Sequence, residues 1–228
     1  MYRRQFVGGV VAFALCGVTV FEADSASSAS RPEVHVYLLR GLMGMSLGLD
    51  ELSEKLKQRG INATVHELGE ASALAADAAR NYNSGREREI ILIGHSFGGA
   101  AILTMAEELG RAGVPVALAI LIDPPRTTQV SANVRRVVNL YLSNGIGVPV
   151  ERGPKFYGSL ENVDLKNDPT MGHFAIQSSE KMHRQLIGYV LSAMSEPRAL
   201  PAAPPSDAFG AKRTLVSRPP VRVYEFTP

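Results

Sequence analysis

Glu89-Ile90-Ile91-Leu92-Ile93-Gly94-His95-Ser96-Phe97-Gly98-Gly99-Ala100 is the stretch on which the reading of this chain turns. Four apolar residues, Ile90 to Ile93, run unbroken into Gly94-His95-Ser96-Phe97-Gly98. Ile102, Met105 and Leu109 then recur at helical spacing as far as Gly110. A β-branched apolar run bounded by glycine has the pattern of a strand buried on both faces, as in the middle of a parallel sheet. Gly-x-Ser-x-Gly at its end predicts a sharp strand-to-helix turn that holds Ser96 in a strained, exposed conformation. Without Cβ atoms at 94 and 98, strand and helix can pass close together on either side of the serine. The turn also sets Ser96 at a helix start, where free N–H groups and the dipole favour a developing negative charge. The five letters alone recur by chance in a glycine- and serine-rich chain. The strand before them and the helix behind them give the motif its weight.

The chain on either side repeats the same alternation. Val34 to Leu39 reads as a first core strand that ends at Arg40-Gly41-Leu42-Met43-Gly44. Leu49, Leu52 and Leu56 mark an amphipathic helix that stops at Gly60. Ile61 to Leu68 alternates as a strand nearer a sheet edge does, and Ala71 to Asn83 is an alanine-rich helix. After the elbow helix, Val114 to Ile122 forms another buried strand with Asp123 at its carboxyl end. In open α/β sheets ligands and catalytic groups gather at that end. Val134 to Ser143 is the next strand, Ser159 to Leu165 a last one at an edge, and Met182, Leu186, Ile187, Val190, Leu191 and Met194 mark the apolar face of a final helix. Strands followed by helices predict an α/β fold: a central, mostly parallel sheet with helices on both faces. Only Arg126 to Asn133 joins two of the strands, too short for a large lid, so an open and shallow site is expected.

Composition fits one domain with an ample core, and a formal net charge of +2 points to no nucleic acid or acidic polymer as partner. Residues 1–29 have the order of an export signal: Arg3-Arg4, an apolar stretch from Phe6 to Phe21, then small residues. Arg3-Arg4-Gln5-Phe6-Val7 also resembles the twin-arginine pattern, whose cargo is exported folded. A retained membrane anchor is the alternative, although the apolar stretch falls short of the roughly 20 residues a spanning helix needs. Leu15 is bulky where a lipobox ahead of Cys16 wants a small residue, and cleavage would leave a mature protein without cysteine. The expected domain is 30–195. Residues 196–228, with Pro197, Pro201, Pro204, Pro205, Pro219 and Pro220, read as a disordered tail.

On these residues the chain resembles the α/β-hydrolase superfamily from about Glu33 to Ser195, and within it the small lipase, esterase and thioesterase members. A serine hydroxyl needs a base in hydrogen-bond reach and the base needs an orienting group. The resemblance implies the chain order serine, acid, histidine. It places the base at His173, because Met171-Gly172-His173-Phe174 resembles the segment in which the family carries it. His183 lies inside the final helix pattern, and His95, His35 and His66 read as packing residues. The acid stays open. The family's commonest position follows the strand ending at Ser143, but Asn144 to Pro149 contains no carboxylate. Leu121-Ile122-Asp123-Pro124 resembles the lipase arrangement and favours Asp123; Glu151, Asp164 and Asp168 are the alternatives. The oxyanion hole carries over to the backbone N–H groups of Leu42 and Phe97, with Arg40 standing where the family usually has histidine.

The order of residues 1–29 points to export, and the resemblance implies a serine hydrolase that cleaves small-molecule or lipid carboxylic esters through an acyl-enzyme, with no metal and no cofactor; together they lead to the expectation of an exported enzyme, periplasmic or secreted. Its one partner during targeting is the twin-arginine or general export machinery. A thioesterase, or a non-catalytic binding protein of the cell envelope on the same scaffold, are the competing readings.

Overall fold

A computed structural model describes residues 33–196; the export signal and the proline-rich tail expected from the sequence lie outside the described residues, apart from Glu196. Six strands form one sheet in the order β2-β1-β3-β4-β5-β6, every neighbouring pair parallel. They are β1 (Val34–Leu39), β2 (Asn62–His66), β3 (Glu89–His95), β4 (Val116–Ile122), β5 (Val134–Tyr141) and β6 (Ser159–Asp164). The central β3 and β4 are buried at all seven positions each, as their unbroken apolar runs require, and β6 is the half-exposed edge.

Four helices cover the two faces. Helix α1 (Gly48–Lys57) and α4 (Glu180–Ser195) pack on one side: Leu49, Leu52 and Leu56 join Met182, Leu186 and Val190 in a single apolar cluster with Val36, Leu38, Ile91 and Ile93. Helix α2 (Ala71–Asn83) and α3 (Phe97–Arg111) pack on the other, where Leu74, Ala78, Ile102 and Met105 meet Tyr37, Leu39, Ile90 and Leu92. Alternate residues of each strand therefore feed opposite cores, the period-2 rule of a strand applied to a three-layer sandwich.

Winding direction decides where a site can form. From β1 the chain goes outward to β2, while from β3 it goes the other way to β4. The carboxyl ends of β1 and β3 lie side by side, Leu39 opposite Gly94, and the loops leaving them diverge. The order of the strands thus makes this carboxyl end a switch point, the usual ligand position in such sheets. No helix intervenes between β4 and β5, so no large lid grows from that connection.

Candidate active site

Ser96 sits at the turn between β3 and α3 with φ 56° and ψ −127°, backbone angles that a side chain disfavours. Neighbouring glycines make the turn possible. A Cβ at Gly94 would lie 2.2 Å from the Gly98 carbonyl oxygen, and one at Gly98 would lie 2.2 Å from that of Leu39. Ser96 N–H donates to the Ile122 carbonyl at 2.8 Å, which ties the elbow to the end of β4. The strain expected from the sequence is there, but the exposure is not: Ser96 is 7% exposed. Gly41, whose Cβ position is 3.0 Å from that of Ser96, presses the β1–α1 loop against it, and His173 comes down from the β6–α4 loop.

His173 Nε2 is 3.1 Å from Ser96 Oγ, and its Nδ1 is 2.7 Å from Asp123 Oδ2. An ionised carboxylate only accepts, so Nδ1 carries the ring proton and Nε2 is left as an acceptor for the serine hydroxyl. Asp123 is fully buried at the carboxyl end of β4, with φ 47°. Its Oδ1 accepts the Leu142 N–H at 2.8 Å, which diverts that amide from the sheet ladder just after β5 ends. Of the other carboxylates considered, two are committed elsewhere and one is exposed. Asp164 accepts from the Ser143 hydroxyl at 2.6 Å, Asp168 from Thr170 and Lys181, and Glu151 is exposed. His183 is buried under α1, with Nε2 donating to the Gln177 carbonyl at 2.8 Å and Lys55 at Nδ1. His35 stacks on Tyr37 and binds Glu87, and His66 bonds Thr64 on β2, both in line with packing roles.

Leu42 opens a one-turn 3-10 helix (Leu42–Gly44) and Phe97 is the first residue of α3, so both N–H groups belong to helix starts whose first amides have no partner within the helix. Positive φ at Met43 and Gly44 turns the loop, and Arg40 clamps it by reaching Asp50 at 2.5 Å and the Gly44 carbonyl at 3.4 Å. Two polar residues that no local motif marks complete the surroundings. Gln177 accepts the Gly48 N–H at 2.6 Å and donates to the Phe174 carbonyl at 2.9 Å; Ser46 reaches His95. The Gly48–Gln177 and Ser46–His95 bonds span 129 and 49 residues of chain, which is why the sequence carries no signal for them. Around the mouth Leu42, Met43 and Phe174 are exposed apolar side chains. An open groove of about 410 Å³ leads away past Phe97, between Leu68, Ala71, Thr104 and Arg126, with the Arg126 guanidinium 5.3 Å over the Phe97 ring.

A doubly wound parallel sheet, a Gly-x-Ser-x-Gly elbow and a hydrogen-bonded serine–histidine–aspartate line define a hydrolase scaffold. The model of the alpha/beta hydrolase family matches residues 11–224, and this chain belongs to that family. Among solved structures, human thioesterase 2 is similar at 11% identity with a TM-score of 0.49, covering 73% of this chain and all of that one. The lin2722 gene product of Listeria innocua is similar at 12% identity with a TM-score of 0.50, covering 69% of this chain and 94% of that one. An acetylxylan esterase is similar at 17% identity with a TM-score of 0.43, covering 73% and 100%. These likenesses concern the fold. No curated protein sequence matches.

Proposed function

We propose that this protein is an exported serine hydrolase that cleaves carboxylic esters through an acyl-enzyme. The observation that carries the reading is the unbroken line from Ser96 Oγ to His173 Nε2 at 3.1 Å and from His173 Nδ1 to Asp123 at 2.7 Å. His173 takes the serine proton as Ser96 Oγ bonds to the ester carbonyl carbon. Asp123, dry and fixed by Leu142 N–H, stabilises the imidazolium that forms. The N–H groups of Leu42 and Phe97 receive the oxyanion, and His173 returns the proton to the departing alcohol. Water, deprotonated by His173, then attacks the acyl carbon and releases the acid and the free serine. Losing a single oxyanion donor costs about 10²–10³ in rate, so the shape of the Gly41–Gly44 loop matters more than its side chains.

Support for export comes from the order of charged, apolar and small residues over 1–29, which is also the argument for esters over acyl-carrier thioesters. The test is labelling with a fluorophosphonate probe alongside hydrolysis of short p-nitrophenyl esters. The intact protein is expected to label and to turn over, and Ser96→Ala to do neither. Labelling that persists in Ser96→Ala, or no turnover of any ester by the parent, would overturn the reading.

A further inference from the structure

His95, the residue between the first glycine and the nucleophile, is 2% exposed and engaged at both ring nitrogens. Its Nε2 is 2.8 Å from the carbonyl oxygen of His173, and its Nδ1 is 2.7 Å from Ser46 Oγ. Ser46 Oγ in turn accepts the Gly41 N–H at 2.9 Å. The direction of every bond follows. A carbonyl only accepts, so His95 carries its proton on Nε2. Its Nδ1 is then an acceptor, filled by the Ser46 hydroxyl proton, and the Ser46 oxygen is left free to accept from Gly41. Burial supports this neutral form, since desolvation pushes the His95 imidazolium down to about 4.

We infer that His95 is a positioning residue that locks the oxyanion loop and the base-bearing loop into one rigid unit through the relay Gly41–Ser46–His95–His173. This rests on the serine hydrolase reading above. The two loops leave different strands and share no backbone hydrogen bond with each other among the described residues. The Gly41 amide lies one residue before the Leu42 N–H, so the Ser46 bond anchors the chain at the base of the turn that presents that donor. The His173 carbonyl belongs to the residue whose ring must stay aligned with Ser96 Oγ. Gln177 makes a parallel tie farther out, from Gly48 N–H to the Phe174 carbonyl. With His95 buried between them, a displacement of either loop is transmitted to the other. Misplacement of reacting groups by about an ångström costs up to about 10²-fold in rate, whereas ground-state binding of a small ester changes little.

The test compares Ser46→Ala, His95→Gln, His95→Asn, His95→Phe and the Ser46→Ala/His95→Phe double variant, assayed on a p-nitrophenyl ester well below each melting temperature. Gln reaches the His173 carbonyl with an amide N–H as the ring does, while Asn reaches only toward Ser46. The relay predicts a drop in kcat of about 10- to 100-fold for Phe and Asn with KM nearly constant, partial rescue by Gln, and a double variant no slower than His95→Phe alone. Parental kcat in His95→Phe, equal losses in Gln and Asn, or multiplicative losses in the double variant would overturn it. A readout independent of turnover comes from nitrogen-15 labelled imidazoles. His95 should appear as the Nε2–H tautomer, and Ser46→Ala, which removes one hydroxyl from the relay, should shift the His173 ring signals at near-parental melting temperature. Unmoved His173 signals defeat the relay even if esters are hydrolysed. A shifted ring in a parent that hydrolyses nothing defeats the esterase reading and leaves the mechanical tie in place.

Discussion

Asp123 Oδ1 occupies the space in which a side chain at position 147 would begin: a Cβ built on Gly147 lies 1.9 Å from that oxygen. The loop after β5, where the family commonly carries its acid, has no carboxylate between Asn144 and Pro149. It instead leaves a gap at Gly147 and offers the Leu142 N–H at 2.8 Å, so that the carboxylate arriving from the end of β4 fits against it.

Gly147→Ala should therefore displace Asp123 from His173 without unfolding the sheet. The Cβ would also come within 2.9 Å of the Leu142 nitrogen, so the carboxylate cannot shift along its present bond to that amide. We expect kcat on a p-nitrophenyl ester to fall by about 10²-fold or more at near-parental melting temperature. A parental rate would show that this loop does not hold the acid.

Asp123→Asn keeps the shape of the site and reverses its polarity. The amide N–H would donate to His173 Nδ1 and leave Nε2 protonated, unable to accept from Ser96. A loss in kcat of about 10³–10⁴-fold is expected, measured at neutral pH, with fluorophosphonate labelling slowed in parallel.

His95 gives stability a pH dependence. Its imidazolium is favourable only in the unfolded chain, where the ordinary value is 6.5, because burial lowers the folded value to about 4. Between those two values the unfolded state binds one proton more than the native state, so stability falls as pH falls through that window. The contribution lost is roughly 3 kcal/mol at the acid end. Denaturant titrations of parent and His95→Gln between pH 7 and about 4 should show a shallower slope for the variant; equal slopes would exclude this residue as the source.

Glu89 and Arg135 form an ion pair at the amino-terminal ends of β3 and β5, with side chains 3% and 7% exposed. Removing one member strands a buried charge. Glu89→Ala is expected to cost about 3–5 kcal/mol by denaturant unfolding, and replacing both residues by apolar ones should recover most of that loss. Catalysis in surviving folded protein should be unaffected, since the pair lies at the sheet end remote from Ser96.

Helices and strands are legible in the sequence wherever one periodicity dominates. Ile90 to Ile93 and Val116 to Ile122 are unbroken apolar runs, and both are buried on two faces. Boundaries are less legible. Val134 begins its strand as expected, but β5 ends at Tyr141, before Ser143, because Leu142 N–H is taken by Asp123 from another strand. The exposure expected for Ser96 also differs, since the loop after β1 and the loop after β6 close over the elbow, and neither is local to it.

Taken alone, the sequence determines the layers, the parallel sheet and the one strained serine, because hydrophobic period and glycine sterics act within a few residues of chain. Tertiary structure decides which carboxylate faces His173, since Asp123 stands 50 residues away and only strand order brings it to 2.7 Å. It also decides that Ser46, His95 and Gln177 tie two loops together. Hydrogen bonds of that kind depend on distances across the fold that no spacing along the chain encodes.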